Sequence, residues 1–379
     1  MSRLGRAGTS SSVVRNILVL TALIAVACAR PGSAVTVFEE EGFTLGLGLR
    51  LQPRMELERE AGADGAEWRR DFLLRRARLS ASGKIQGVGY KMEWKIDGTD
   101  QVAGSSQTAL GSLPSAQLEN GYLQYPLSKS VEVRAGLYDI PYSRDRLTSD
   151  SQQLAVDRGA VSNVPNTLGL VDNGVGLHVI GKAAGGRAEY AVGLFDNRTI
   201  PTRLQDVPML VGRLDLNFGS TKDIFMDAHF GEEKWYSLGV NGSFQGGIES
   251  DTSNANEGSY AAVGVDGMID VPMGSSRFFA RSEVNSISIT SPVGGDAITT
   301  TTLMAGVGIL MFEQRIQPML RYDQVRRDEA VGGGTQNITY VGGTFFQRKH
   351  NLKIQTDLRF ESGTTESLDG GRLQAQVNY

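Results

Sequence analysis

Residues 43–57, FTLGLGLRLQPRMEL, set the pattern that the chain repeats. Every odd position is apolar, from Phe43 to Leu57, while the even positions carry Thr44, Gly46, Gly48, Arg50, Gln52, Arg54 and Glu56. Alternation with a period of two predicts a strand with one apolar and one polar face. The same pattern returns at Val88–Ile96, Ala188–Leu194, Leu210–Phe218 and Leu352–Phe360, and in the closing GRLQAQVNY at 371–379. A soluble sandwich also alternates in this way. Two features favour a barrel in a membrane: full charges stand in mid-strand on the polar face, as a watery lumen allows, and strands continue to the last residue, where closure needs them. Aromatic residues near strand ends, such as Trp94, Trp235, Phe345 and Tyr379, fit interfacial girdles but fit a sandwich core as well.

Parity then sets the strand number. Seventeen segments qualify, the first at 43–57 and the last at 371–379. A single-chain bacterial barrel with both ends in the periplasm needs an even number. Short turns counted from the front (84–86, 127–129, 183–186) and from the back (347–349, 312–314, 270–275) collide between 219 and 234. The weak candidate there, 222–230, is therefore assigned to a longer periplasmic connection. The fold class expected is all-β: a transmembrane antiparallel β-barrel of 16 strands, a size that leaves an aqueous channel.

The segment after the strand SVEVRAGLYDI breaks the pattern. Residues 139–173 show no sustained alternation, and so long a connection is often functional. It is expected to fold into the lumen as the third outer loop and narrow the pore. Its arginines, Arg144, Arg146 and Arg158, stand beside Asp139, Asp145, Asp150 and Asp157. Folded inward, they would offer donors suited to phosphate or carboxylate oxygens; left outside, they would be a solvated surface. On the expected inner face of the wall, ten cations (Arg76, Arg78, Lys91, Lys95, Arg134, Arg213, Arg281, Arg321, Lys353, Arg359) face seven acids (Glu93, Asp97, Glu132, Asp215, Glu283, Asp323, Asp357). Charged rings set channel selectivity, so the excess points to anions, although a wall of mutually paired charges reads equally well. The candidate pore-lining and anion-binding residues are Arg76, Arg78, Arg134, Arg144, Arg146, Arg158, Arg321 and Lys353.

The N-terminus adds a destination. Arg3, Arg6 and Arg15 precede the apolar run ILVLTALIAVACA at 17–29, followed by the small residues Gly32-Ser33-Ala34. This is the form of a secretory signal peptide ending at residue 34, with 35–379 as the barrel domain. The run is short of the ~20 residues of a spanning helix. A lipoprotein cut before Cys28 is a weaker alternative, since Ala25 replaces a larger aliphatic residue. Removing the leader removes four arginines, no acid and the single cysteine, so 34 bases face 42 acids, a balance of −8. That gives no basic footprint for nucleic acid and leaves no thiol for disulfides or metal. Glycine, at 47 of 379 residues, is well above the usual ~7%. The three histidines, His178, His229 and His350, have no spaced metal partner and no nucleophile motif beside them, so neither a cofactor nor an enzyme activity is expected.

Several stretches are similar to the phosphate-selective porin family, the O and P type, of Gram-negative outer membranes: RRARL at 75–79, GLYDIPYSRDRLTSDSQ at 136–152, NGVGL at 173–177, YAVGLFDNR at 190–198, VGRLDLNF at 211–218, LRYDQV at 320–325 and HNLKIQTDLRF at 350–360. The resemblance implies a sixteen-stranded barrel in the bacterial outer membrane, in contact with its lipid and usually a homotrimer. It would pass small anions such as phosphate by diffusion, with the third outer loop dipping into the pore. The chain departs from the family at Pro141-Tyr142, where Pro-Phe is common, and at the closing Tyr379, where Phe is more usual. No ladder of arginines down one side of the pore can be traced. The alternatives are a weakly selective porin for another solute and a structural or adhesive barrel plugged by its own loop.

Overall fold

The computed structural model describes residues 35–62, 65–95, 116–167, 173–196, 207–248, 258–290, 297–329, 333–363 and 369–378. The expected signal peptide, Ile96 and Asp97, part of the long connection and the closing Tyr379 lie outside them. Among the described residues, seventeen strands form one antiparallel sheet. They are β1 (Val35–Glu40), β2 (Phe43–Gly62), β3 (Gly65–Ile85), β4 (Val88–Lys95), β5 (Gln117–Pro126) and β6 (Val131–Asp139). Next come β7 (Asn173–Ala183), β8 (Ala188–Asp196), β9 (Met209–Gly219), β10 (Trp235–Ile248), β11 (Gly258–Met273) and β12 (Ser276–Thr290). The last are β13 (Ile298–Leu310), β14 (Ile316–Arg327), β15 (Gly334–Arg348), β16 (Leu352–Ser362) and β17 (Gly370–Asn378).

The sixteen strands β2–β17 close into a barrel, with Gly370 opposite Glu58 and Asn378 opposite Arg50 at the seam. The sixteen-strand count therefore holds, and 222–230 is not a strand. One strand was not foreseen. β1 pairs with β2 from Val35 opposite Leu47 to Glu40 opposite Phe43, on the same edge that β17 occupies further along. Its hairpin through Glu41 and Gly42 (φ 79°) extends the seam where β17 has run out.

The short connections collect at one end. Gln86 and Gly87 turn β3 into β4, both with positive φ, the two-residue geometry whose twist suits a hairpin. Longer connections leave mostly from the other end, the long-loop end. The outward face is apolar: Leu210, Leu214, Leu238, Val240, Val263, Val265 and Leu358 are exposed, as lipid contact requires. Leu358 lies at mid-strand opposite Val341 and Gly371, whereas Ile354 lies near the short-turn end. Arginine at a lipid-facing midplane position costs about 2–4 kcal/mol and less near an interface. Leu358→Arg is therefore expected to reduce unfolding stability in lipid by about that amount, and Ile354→Arg by less. Equal, negligible effects would refute the facing of β16.

Among the described residues, two connections turn into the lumen. The first, between β6 and β7, carries α1 (Arg144–Leu147), capped by the Ser143 side chain accepting from Arg146 N–H, and α2 (Ala160–Thr167). The second, residues 220–234 between β9 and β10, enters from the short-turn end. Ile224, Asp227, Ala228 and His229 are buried, with Ala228 packed against the inward Leu310 and Phe346. The insertions meet: Asp227 N–H donates to Gln152 O (3.0 Å), and Leu154 N–H donates to Asp227 Oδ2 (3.0 Å). They cover one side of the lumen. Inward residues there, such as Asn217, Arg277, Gln317, Lys353 and Gln376, are at most 1% exposed. On the other side Arg50, Lys91, Gln124, Glu132 and Arg134 remain half-buried.

Candidate functional site

At the long-loop end the wall and the long loop enclose a cavity of about 890 Å³, into which Arg76, Arg78, Arg146 and Arg158 project together with Arg54, Arg75, Arg359, Arg372 and Lys95. Seven carboxylates line the same space: Glu56, Glu58, Glu119, Asp150, Asp157, Asp323 and Asp369. The cationic side is built locally by a β-bulge. Gln52 pairs with Arg76, but Pro53 pairs with Leu74, so Arg75 is an extra residue in β3. A bulge re-aims a side chain that strict alternation would send to the other face. Arg75 thereby joins Arg76 and Arg78 on the inside, 3.6 Å from Asp157 Oδ1.

The two loop carboxylates sit in this cluster. Asp157 receives both ends of the Arg54 guanidinium (2.7 and 2.9 Å) and Arg372 Nη1 (2.9 Å), with Arg76 Nη2 3.7 Å away. Asp150 pairs with Arg76 Nε (2.7 Å) and with Arg158. Burial alone would raise both carboxyls, but the surrounding guanidinium charges hold both well below the usual carboxylate range. Both stay ionised at any physiological pH.

The other four sequence candidates lie elsewhere. Arg144 is 2% exposed and faces wall carboxylates: Nε donates to Asp266 Oδ1 (2.5 Å) and Nη2 to Asp215 Oδ1 (3.0 Å). Gly239 makes room for this network, since a Cβ there would stand 2.4 Å from Arg213 Nη2 and 2.5 Å from Asp266 Oδ1. Arg321 donates to Asp157 O (2.6 Å) and lies over the Tyr340 ring at 4.0 Å. Lys353 donates to Gln153 O (2.9 Å). These three hold the loop to the wall. Arg134 lies toward the short-turn end, bonded to Gln124 Oε1 (2.9 Å) and 4.5 Å over the Tyr122 ring. Five cavity cations are missing from the candidates: Lys95 and Arg359, which the alternation places on the inner face, and Arg54, Arg75 and Arg372. Arg54 and Arg372 stand on the polar faces of β2 and β17 and were legible there; Arg75 was hidden by the bulge.

Residues 48–200 match the family model described as phosphate-selective porin O and P. Over that stretch the chain is similar to this family. It contains the bulge, the arginines of β2 and β3 and the whole long loop. An uncharacterized protein of Aquifex aeolicus (strain VF5) is 30% identical over 169 residues, 42% of this chain, and the match spans 40% of that relative's length. The fold is shared with solved barrels at low identity. OmpT of Vibrio cholerae, in a loop L8 deletion mutant, superposes with a TM-score of 0.60 at 9% identity, covering 89% of this chain and 100% of that one. The outer membrane channel DcaP of Acinetobacter baumannii gives 0.59 at 12%, covering 91% and 100%. An anion-selective porin from Comamonas acidovorans gives 0.58 at 13%, covering 89% and 100%. The chain thus shares the closed-barrel fold of these outer-membrane proteins and, over 48–200, is similar to the phosphate-selective porins.

Proposed function

We propose that the protein is a porin of the bacterial outer membrane that passes small anions, with phosphate and small carboxylates among them, by diffusion. The observation that carries this is the cavity lined by nine cationic side chains against seven carboxylates. A solute would enter at the long-loop end, pass Arg76, Arg78 and Lys95, and leave along the half-buried Arg50, Lys91 and Arg134. On this reading the long loop is the third outer loop and the short-turn end faces the periplasm. The chain is delivered by residues 1–34 as a cleaved signal peptide and assembles as a homotrimer. The trimer form of OmpT from Vibrio cholerae, a relative by fold, supports that last point. Diffusion needs no cofactor and no chemical step.

The test is the reversal potential of single channels in a salt gradient. A unit charge about 8 Å from a passing ion changes its energy by about 0.5 kcal/mol in a watery dielectric, a little over twofold in population. Replacing Arg76 and Arg78 together by alanine is expected to lower the anion-to-cation permeability ratio about two- to fivefold, less at high salt. An unchanged ratio would move the selective region elsewhere. One observation favours a second reading, a barrel plugged for a structural role: the two insertions meet inside the lumen. Folded, membrane-inserted protein without conductance would decide for it.

A further inference from the structure

The carboxylate of Asp157 is bonded as a bound solute would be. One guanidinium grips both oxygens, a second adds a hydrogen bond, and Arg75 and Arg76 stand within 3.7 Å. Bidentate arginine–carboxylate geometry is the same geometry that holds phosphate. The nest is preformed by the wall rather than by its occupant. Arg54 also donates to Gln374 Oε1 (2.7 Å), and Arg372 forks onto Asp357 (both 2.7 Å). Its mouth opens on the cavity, where the Arg75 side chain is 38% and that of Asp157 19% exposed. The Asp157 backbone is fastened separately, through its carbonyl to Arg321, so the side chain can change without releasing the chain.

We propose that Arg54, Arg75, Arg76 and Arg372 form an oxyanion site whose resident occupant is the tethered carboxylate of Asp157. Small oxyanions compete with that carboxylate at the Arg75 edge. The tether keeps them from being held tightly and lets them pass. The site rests on the reading of an anion-preferring channel only where current is the readout; binding to the purified protein does not.

The experiment compares wild type with Asp157→Ala, using inorganic phosphate as the probe. Phosphate is expected to block chloride current through the variant at about a tenfold lower concentration, equivalent to about 1.4 kcal/mol. Adding Arg75→Ala to the variant should remove that gain. Identical phosphate dependence in wild type and Asp157→Ala overturns the proposal. Calorimetric titration of the folded, detergent-solubilised proteins with phosphate separates the two readings. If neither protein conducts but the variant binds more tightly, the site stands and the channel reading falls. Equal binding removes the site whatever the current shows. Should Asp157→Ala fail to fold into a heat-modifiable barrel, Asp157→Asn keeps the shape and drops the charge, and carries the same comparison with a smaller shift expected.

Discussion

Replacing Arg144 by alanine is expected to raise single-channel conductance, make the current noisier and expose residues 144–160 to protease while the barrel stays closed. The guanidinium is 2% exposed and donates to Asp266, Asp215, Ser237 Oγ (2.6 Å) and Ile224 O (2.6 Å). Arg213 shares the same two aspartates (2.8 Å to Asp215 Oδ2 and 2.8 Å to Asp266 Oδ2), so two cations balance two anions. Without Arg144 one buried negative charge is left over. Breaking a buried pair in this way costs about 3–5 kcal/mol. The wall is held by its own ladder, so the loop rather than the barrel absorbs the cost. Arg144→Lys should rescue little, because one compact ammonium with three donors cannot reach all four acceptors that the guanidinium bonds. Wild-type conductance and protease resistance in Arg144→Ala would show that the loop is held by its other contacts alone.

Asp227→Ala is expected to loosen both insertions together. Its carboxylate accepts from Leu154 N–H in the long loop and from Arg281 Nη1 (3.0 Å) in the wall. Arg281 also pairs with Asp145, beside Arg144. Truncation leaves a buried N–H without this acceptor and a buried guanidinium short of one partner, a loss of about 1–3 kcal/mol or more. The expected readout is larger conductance together with increased protease cleavage in 220–234. Because Arg144 also bonds the second insertion through the Ile224 carbonyl, and Arg281 bonds Asp145 next to Arg144 in the chain, the double variant with Arg144→Ala should show less than the sum of the two effects. Strict additivity would mean that the insertions move independently.

The wall was legible because a strand between lipid and water must alternate, and β2, β4, β9 and β16 do. Parity then removed 222–230 without any help from local pattern. The failures share one cause. Alternation reports which face a residue takes but not what lies over that face. Lys353 and Arg321 were read correctly as inward, yet both are covered by loop carbonyls, and nothing in their own strands encodes that cover. Residues 220–234 were read as a connection. Their turn into the lumen depends on partners far along the chain, such as Asp270 for His229 N–H (2.7 Å) and Leu154 for Asp227. Arg75 was lost for the opposite reason: a one-residue bulge changes the facing of one side chain and leaves the rest of the pattern intact. β1 was too short to show a period.

The long loop also has a mechanical consequence. It is bonded to β2 through Asp157, to β3 through Asp150, to β7 through Arg146, and to β11 through Arg144. Further bonds reach β12 through Asp145, β14 through Ala160, β16 through Gln153 and β17 through Ser151. These attachments reach most of the way round the ring, so the loop acts as a hub with spokes. A hollow ring flattens easily under lateral load, whereas a spoked ring must break bonds on one diameter before it can lengthen another. The long loop thus ties opposite parts of the wall together, and flattening the barrel would have to break those bonds.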